Sequence, residues 1–181
     1  MCVTIIVAPG MRVLAVALWA VSVALVPLAV VGDGSPWLAP LPSLFIMFFA
    51  WAVLWRPRIV LTHEALRIVD VRRESTYAWR RVTDVRTKYG LEVVSSEGVR
   101  RTWIATRPTA RLGSLRPGGT VRLSVEAAAD EVRAMVPAVA EQDGPPPASV
   151  TAAPIVHRAH GWSVLALVVL GFVGAMAAAQ L

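Results

Sequence analysis

Three long uncharged runs stand out in the pattern of hydrophobic and polar positions along the chain. Residues 13–31, 37–55 and 161–181 contain no Asp, Glu, Lys or Arg. At 1.5 Å per residue, helices over these runs are about 28–32 Å long, close to the roughly 30 Å hydrocarbon core of a bilayer. The pattern predicts an N-terminal transmembrane hairpin and one C-terminal transmembrane helix.

The first run leaves two alternatives open. Residues 13–31 follow Arg12, as the apolar core of a signal peptide follows its basic end. The run is longer than the usual signal core of about 7–15 residues and has no clear cleavage site, which favours an uncleaved helix. We expect this helix to follow a short segment over 1–12, in which Met11 is an alternative start to Met1.

The second run predicts a transmembrane helix less strongly than the third does. Residues 37–55 are strongly apolar only over 44–55, so whether this span crosses fully stays open. In the third run, Gly171, Ala175 and Ala179 form a small-xxx-small ladder, the kind of face on which transmembrane helices approach closely. Packing within one molecule explains the ladder as well as a dimer does.

Between the second and third runs, the pattern changes to short β-branched stretches separated by turns. Such closely spaced strands predict an antiparallel meander that closes into a small barrel or sandwich. The stretch 106–119, which contains prolines and a glycine pair, is predicted as the longest loop. The predicted strands cover residues 58–62, 66–72, 76–79, 91–95, 99–105 and 120–123.

An amphipathic helix is predicted over residues 125–139, with Ser124 as its N-cap. Its polar face is acidic, which argues against a helix lying on the membrane and favours one that covers an open end of the barrel. The strands and this helix predict one domain over 56–140. A proline-rich linker and juxtamembrane segment then cover 141–160.

The stretch over residues 79–86 is the centre of this domain. Trp79, Val82 and Val85 recur at every third position, and most of the intervening residues are polar or basic. This spacing predicts a strand that runs into a tight turn, with the three apolar side chains buried and the arginines facing water.

Charge predicts the topology. Arg12 and Asp33 are the only charged residues outside 56–160, so that segment holds 17 of the 18 basic and 11 of the 12 acidic residues. Arg12 and Arg56 flank the predicted hairpin, whereas its connecting loop contains no Lys or Arg. The positive-inside rule then predicts a multi-pass plasma-membrane protein with residues 56–160 in the cytoplasm.

These residues resemble a known family. A membrane hairpin followed by 56–62 (RPRIVLT), a turn and 66–68 (LRI) is similar to the bacterial pleckstrin-homology-like (PH) domain. More narrowly, the chain resembles small actinobacterial membrane proteins that include the low-molecular-weight protein antigen group. Residues 79–86 (WRRVTDVR) match the tryptophan-centred signature of that family, which places Trp79, Val82 and Val85 as structural residues.

The resemblance implies a seven-stranded PH-like barrel closed by a C-terminal helix, so the expected fold class is an α+β membrane protein. It implies no settled activity. Eukaryotic relatives that bind phosphoinositides place basic residues around the first strand-to-strand loop. Here that loop, residues 62–65, contains no Lys or Arg, which argues against recognition of inositol phosphates.

The sequence offers no catalytic, cofactor or metal site. A Gly-x-Ser-x-Gly elbow and a phosphate-binding glycine loop are both missing, and Cys2 is the single cysteine. His157 and His160 have a spacing that could present two metal ligands, but no clear further ligand completes a site. His63 is predicted to be a solvated turn residue. We expect the protein not to be an enzyme.

Three arginine pairs are candidate contacts with membrane lipids. Ordinary surface charge on adjacent strands is the simpler alternative, and nucleic acid is excluded because no recognition motif or stacking platform accompanies the mild net charge of +6. The pairs are Arg72 and Arg73, Arg80 and Arg81, and Arg100 and Arg101.

The sequence therefore favours a non-catalytic scaffold that positions an unidentified protein partner at the cytoplasmic face of the plasma membrane. Two alternatives stay open. One is a module that senses anionic lipids through the arginine pairs. The other is an accessory subunit of a membrane transport or envelope complex.

Overall fold

A computed structural model describes residues 3–31, 40–107, 109–116, 119–136 and 155–179. The chain forms two compact units. The sheet unit comprises Met1–Pro9 and Pro57–Ala159, and the helical unit comprises Gly10–Arg56 and His160–Leu181. The expected turn at 32–36 and most of the expected linker, residues 141–154, lie outside the described residues.

The secondary structure is α+β, with all the described strands in the sheet unit and with apolar helices near both ends of the chain. In chain order the elements are β1 (Thr4–Val7), α1 (Pro9–Val31), α2 (Pro40–Phe49) with a π-helical continuation (Ala50–Trp55), β2 (Arg58–Leu61), β3 (Ala65–Val69), β4 (Arg73–Ala78), β5 (Val82–Arg86), β6 (Glu92–Ser95), β7 (Gly98–Arg101), β8 (Leu112–Arg116), β9 (Gly119–Leu123), α3 (Val125–Arg133), β10 (Ile155–Ala159) and α4 (Gly161–Ala178).

Two helices of the helical unit are long and apolar enough to cross a membrane by length and composition. They are the first part of α1, Pro9–Pro27, and the whole of α4. The second expected span is shorter, since α2 contributes 10 residues and its π-helical continuation 6. Such a π-helical stretch, with i→i+5 hydrogen bonds such as that from the Arg56 amide to the Trp51 carbonyl oxygen at 2.9 Å, is rare and widens the end of the helix just before the chain enters β2.

The helical unit is held together where α2 packs against α4. Gly171 and Gly174 lie beside Phe45, so close that a methyl group added at Gly171 would lie 3.2 Å from the Phe45 ring. The small residues on the packed face are therefore Gly171, Gly174 and Ala177, whereas Ala175 is exposed. Within the molecule, α2 therefore packs on the predicted ladder at Gly171 but leaves Ala175 exposed, because its contacts on α4 recur at a spacing of three rather than four.

The sheet unit contains two antiparallel sheets. The larger has seven strands in the order β10-β4-β3-β2-β1-β8-β9, and the smaller has the order β5-β6-β7. Between β1 and β10 the register aligns Ile6, Ile59, Ile68, Ser75 and His157 across five strands. The first four of these side chains are fully or almost fully buried and form the inner face of the large sheet.

Three strands were not predicted. β1 lies in a short apolar stretch that runs into α1, so its sequence looks like the start of the helix. β8 occupies part of the predicted loop over 106–119, where glycine and serine conceal the strand pattern. β10 lies in the expected juxtamembrane segment and is mostly exposed and polar, so nothing in its sequence distinguishes it from a linker.

Helix α3 begins where the sequence predicts and ends early. The Ser124 hydroxyl accepts a hydrogen bond from the Ala127 amide at 3.1 Å, which caps the helix. Val125, Ala128, Ala129 and Val132 are buried, but the helix ends at Arg133, and Met135, in the turn that follows, is exposed. The helix contacts β5, β8 and β9, so it joins the two sheets.

Candidate functional site

The Trp79 signature lies in the core of the sheet unit. Trp79 begins a single 3₁₀ turn, and β5 follows it, so the turn precedes the strand rather than ending it. The side chains of Trp79, Val82 and Val85 are 6%, 0% and 1% exposed. The indole N–H of Trp79 donates to the Thr62 carbonyl oxygen at 2.9 Å, which fixes the β2–β3 turn to the end of β4.

The pair on β7 is neutralised by acids. The Arg100 guanidinium lies 2.8 Å from the Asp70 carboxylate, and the Arg101 guanidinium lies 2.6 Å from the Glu92 carboxylate. The Arg101 guanidinium also lies over the Tyr89 ring, 5.2 Å from the ring centroid, as in a cation–π contact. Both arginines have structural partners, so this pair is a poor candidate for a lipid contact.

The other two pairs lie at opposite ends of β4. Arg72 and Arg73 occupy the β3–β4 turn, which is closed by a hydrogen bond from the Asp70 amide to the Arg73 carbonyl oxygen. Arg80 and Arg81 follow the other end of the strand, where the Arg81 guanidinium donates to the Ser96 hydroxyl. Both arginines of the first pair are exposed.

Strand register adds two arginines to the Arg72–Arg73 end. Arg58 pairs with Val69, Val69 with Glu74, and Glu74 with Arg158, so these residues form one row across four strands. Arg73 pairs with Ala159, one position further along. We call the four exposed arginines at this end of the sheet, Arg58, Arg72, Arg73 and Arg158, the arginine rim.

The acids beside the rim are paired. Glu74 lies 2.6 Å from Arg67, and Asp70 accepts a hydrogen bond from the Trp103 amide in addition to its contact with Arg100. Burial raises the pKa of the Asp70 carboxyl, and the Trp103 amide and the charge of Arg73 oppose that shift. Because the guanidinium of Arg100 stays charged, their close contact favours the ionised carboxylate near neutral pH.

The two juxtamembrane histidines belong to different units. His160 lies in the helical unit, where its ring contacts the Arg56 guanidinium at 3.0 Å. His157 lies on β10 in the sheet unit. Within the ranges that the structure describes, no group of three or more His, Cys, Asp or Glu side chains could hold a metal ion.

His157 joins a hydrogen-bonded chain that the sequence did not reveal. Its Nδ1 lies 3.0 Å from the Ser75 hydroxyl, and its Nε2 lies 2.8 Å from the Glu97 carboxylate. When the ring is neutral, the carboxylate fixes the proton on Nε2, so Nδ1 accepts from the serine hydroxyl. This arrangement resembles a nucleophile, a base and an orienting acid.

Burial decides the role of this chain of groups. Ser75 is 0% exposed on the inner face of the large sheet, so a substrate carbonyl has no route to its oxygen. The contacts instead fasten β10 to β4 and to the β6–β7 turn. The three residues are 22 and 60 positions apart along the chain, and no local spacing signals that they meet.

No family model matches the chain, and neither a curated protein nor a solved structure matches it.

Proposed function

We propose that this chain is a non-catalytic binding module, anchored in the plasma membrane, that positions a protein partner at the cytoplasmic face. In this proposal the sheet unit is the PH-like domain and the helices are its anchor. Two observations support it: the described chain has two helices of spanning length, and α3 closes an antiparallel unit by joining its two sheets.

The observation that carries the proposal is the open edge of β9. Among the residues that the structure describes, this strand pairs with β8 on one side only, and Gly119, Thr120, Val121 and Arg122 are all exposed. An exposed edge presents unpaired N–H and C=O groups, to which an extended peptide can add as a further strand. Val121, 51% exposed, supplies an apolar contact in the middle of the edge.

The other strand edges are less suited to a partner. The edge of β5 is partly occupied, because the Arg133 guanidinium donates to the Val85 carbonyl oxygen of this strand. Edge β7 carries two arginines held in ion pairs, and edge β10 carries His157 and Arg158. Charged side chains are a common protection of edges against pairing. β9 carries one, Arg122, whereas β7 carries two arginines and β10 carries a histidine and an arginine, so β9 is the edge we assign to the partner.

Photocrosslinking in cells tests this assignment. A photoreactive amino acid replaces Val121 in the full-length chain, and the same amino acid replaces Val99 on β7 as a matched control. The two valines are 51% and 54% exposed, so their general accessibility is nearly the same. We expect one adduct of discrete mass from position 121 and none of that mass from position 99.

A second variant separates edge pairing from mere proximity. Thr120→Pro removes a backbone donor from β9 and should abolish the adduct at position 121 if the partner adds as a strand. Adducts of the same mass and yield from both positions, or no protein adduct from position 121, would overturn the proposal.

A further inference from the structure

We infer that the arginine rim binds the anionic headgroups of the membrane that holds the apolar helices. The lipid surface is then a second partner of the sheet unit, in addition to the proposed protein partner. It rests on where the chain leaves the sheets and on which charges are already paired there.

The chain passes from the rim end of the large sheet into each of the three apolar helices within a few residues. Ala8 alone separates β1 from α1, His160 alone separates β10 from α4, and Arg56 and Pro57 separate the π-helical segment from β2. Three residues reach at most about 10 Å. A charge at this distance from the start of a membrane helix is about one Debye length from the lipid surface, where attraction is still felt.

The strand register brings the three points at which the chain leaves the large sheet for the helices to one end of that sheet. The end of β1, the start of β2 and the end of β10 all lie at the same end of the large sheet, because β1 and β2 are antiparallel and β10 runs antiparallel to β4. Strands are about 4.8 Å apart, so Arg58 and Arg158, three strand steps apart, are separated by roughly 14 Å. The rim is therefore wide enough to contact several headgroups.

The positive charges of the arginine rim can interact with an anionic surface. Its two neighbouring acids, Asp70 and Glu74, are held by Arg100 and Arg67. In the part of the chain that the structure describes, no ion pair involves any of the four rim arginines. The local excess of positive charge is thus not cancelled among the described residues of the sheet unit, and lipid phosphates carry the complementary charge.

An exposed tryptophan adjoins the rim. The Trp103 amide donates to Asp70 in the β3–β4 turn, and the Trp103 side chain is 47% exposed. Tryptophan side chains are enriched at the boundary between headgroups and hydrocarbon, where an apolar ring and an N–H are both satisfied. Arginines and this indole together match an anionic membrane surface better than a soluble anion.

Lipid photocrosslinking in nanodiscs tests the inference. A photoreactive amino acid replaces Trp103 in the full-length chain, which is reconstituted into nanodiscs of phosphatidylcholine, with or without phosphatidylglycerol. Mass spectrometry then measures the fraction of protein that carries a lipid adduct. We expect a higher fraction with phosphatidylglycerol present, and a decrease as salt is raised, since salt screens exposed charges.

Two double variants give the matched control. Arg72→Gln with Arg73→Gln and Arg80→Gln with Arg81→Gln remove the same charge from opposite ends of β4. Each arginine near an anionic surface contributes about fivefold in affinity, so the first variant should lose fivefold or more of the adduct and the second none. Equal adduct in both lipid compositions, or equal loss in both variants, would overturn the inference.

The two proposals fail separately. A lipid adduct at position 103 says nothing of a protein adduct at position 121, so either result stands without the other. The salt titration of the unsubstituted rim supports or overturns lipid binding even where a double variant folds poorly. If the yield of the lipid adduct did not change with salt, the adduct would reflect proximity to the bilayer rather than binding by the rim, and the inference would be overturned.

Discussion

Asp70 and Arg100 form an ion pair in which both side chains are largely enclosed, with 14% and 16% exposure and 2.8 Å between oxygen and nitrogen. Asp70 belongs to the β3–β4 turn of the large sheet and Arg100 to β7 of the small one. The pair therefore links the two sheets directly. It also holds Trp103, whose amide donates to the other oxygen of the same carboxylate.

Loss of this pair should destabilise the sheet unit strongly. Arg100→Ala leaves the Asp70 carboxylate enclosed without its cation, and breaking a buried pair on one side costs about 3 kcal/mol or more of the free energy of unfolding. The measurement is thermal unfolding of the full-length chain in detergent, followed by the protection of the sheet unit from protease.

Arg86→Ala is the matched control for this prediction. Arg86 pairs with Asp84 at 3.3 Å, and their side chains are 57% and 52% exposed. Exposed pairs contribute about 0–1 kcal/mol, so this variant should unfold close to the unsubstituted protein. Equal losses of stability in the two variants would mean that burial does not determine how much the Arg100–Asp70 pair contributes.

β1 makes the first residues of the chain part of the fold. Ile6 is 0% exposed and lies between β2 and β8, which pair with β1 on its two sides. Ile6→Ala should cost about 2–5 kcal/mol, as a large-to-small core change does, whereas Val3→Ala, at a position 38% exposed, should cost little. Unfolding midpoints of the two variants check this difference.

A chain that starts at Met11 should fold worse still. It lacks β1, so β2 and β8 lose the strand that joins them, and the large sheet is divided. We expect the sheet unit of this shortened chain to be digested rapidly by protease. Resistance equal to that of the longer chain would show that β1 is dispensable.

Much of the sheet unit could be predicted from local pattern. The β2 and β3 stretches alternate in burial as their sequences alternate in polarity, and Ser124 has the side chain and position of a helix N-cap. These signals are local, because a strand face or a cap depends on residues only a few positions apart. The threefold spacing of Trp79, Val82 and Val85 is local in the same way.

Which arginines form ion pairs and which lie together could not be predicted, because these contacts join residues that are distant in the sequence. Arg100 and Asp70 are 30 positions apart, and only the packing of two sheets brings them together. Arg72 and Arg80 look alike in sequence, yet β4 places them at opposite ends. The rim exists because register aligns Arg58 with Arg158 across two intervening strands, information that a single sequence does not contain.

The contact between α2 and α4 depends on glycine. A methyl group at Gly174 would lie 3.6 Å from Pro42 Cα and from Phe45 Cβ, so a leucine at this position has no room for its outer atoms. Gly174→Leu should separate the helices at a cost of about 1–3 kcal/mol, even though leucine favours helix more than glycine does. Thermal unfolding in detergent measures the loss.

Ala175→Leu is the control in the same helix. Ala175 is exposed, so the larger side chain meets no neighbour within the molecule. We expect an unchanged midpoint for this variant. If Ala175→Leu were the more damaging change, the face of α4 that packs against α2 would have to be the other one.

Strand pairing makes a firm prediction about the short second helix. β1 and β2 pair in one sheet, so the two ends of the α1–α2 segment lie on the same side of any membrane that α1 crosses. If α1 crosses the membrane, α2 and its π-helical continuation must cross it in the opposite direction, although they are short, with 10 and 6 residues.

A reporter that is active only outside the cytoplasm tests this prediction. It should be active when inserted after Pro36 and inactive when inserted after Gly144. Inactivity at both positions would mean that α1 does not cross, and activity after Gly144 would reverse the orientation derived from the arginines.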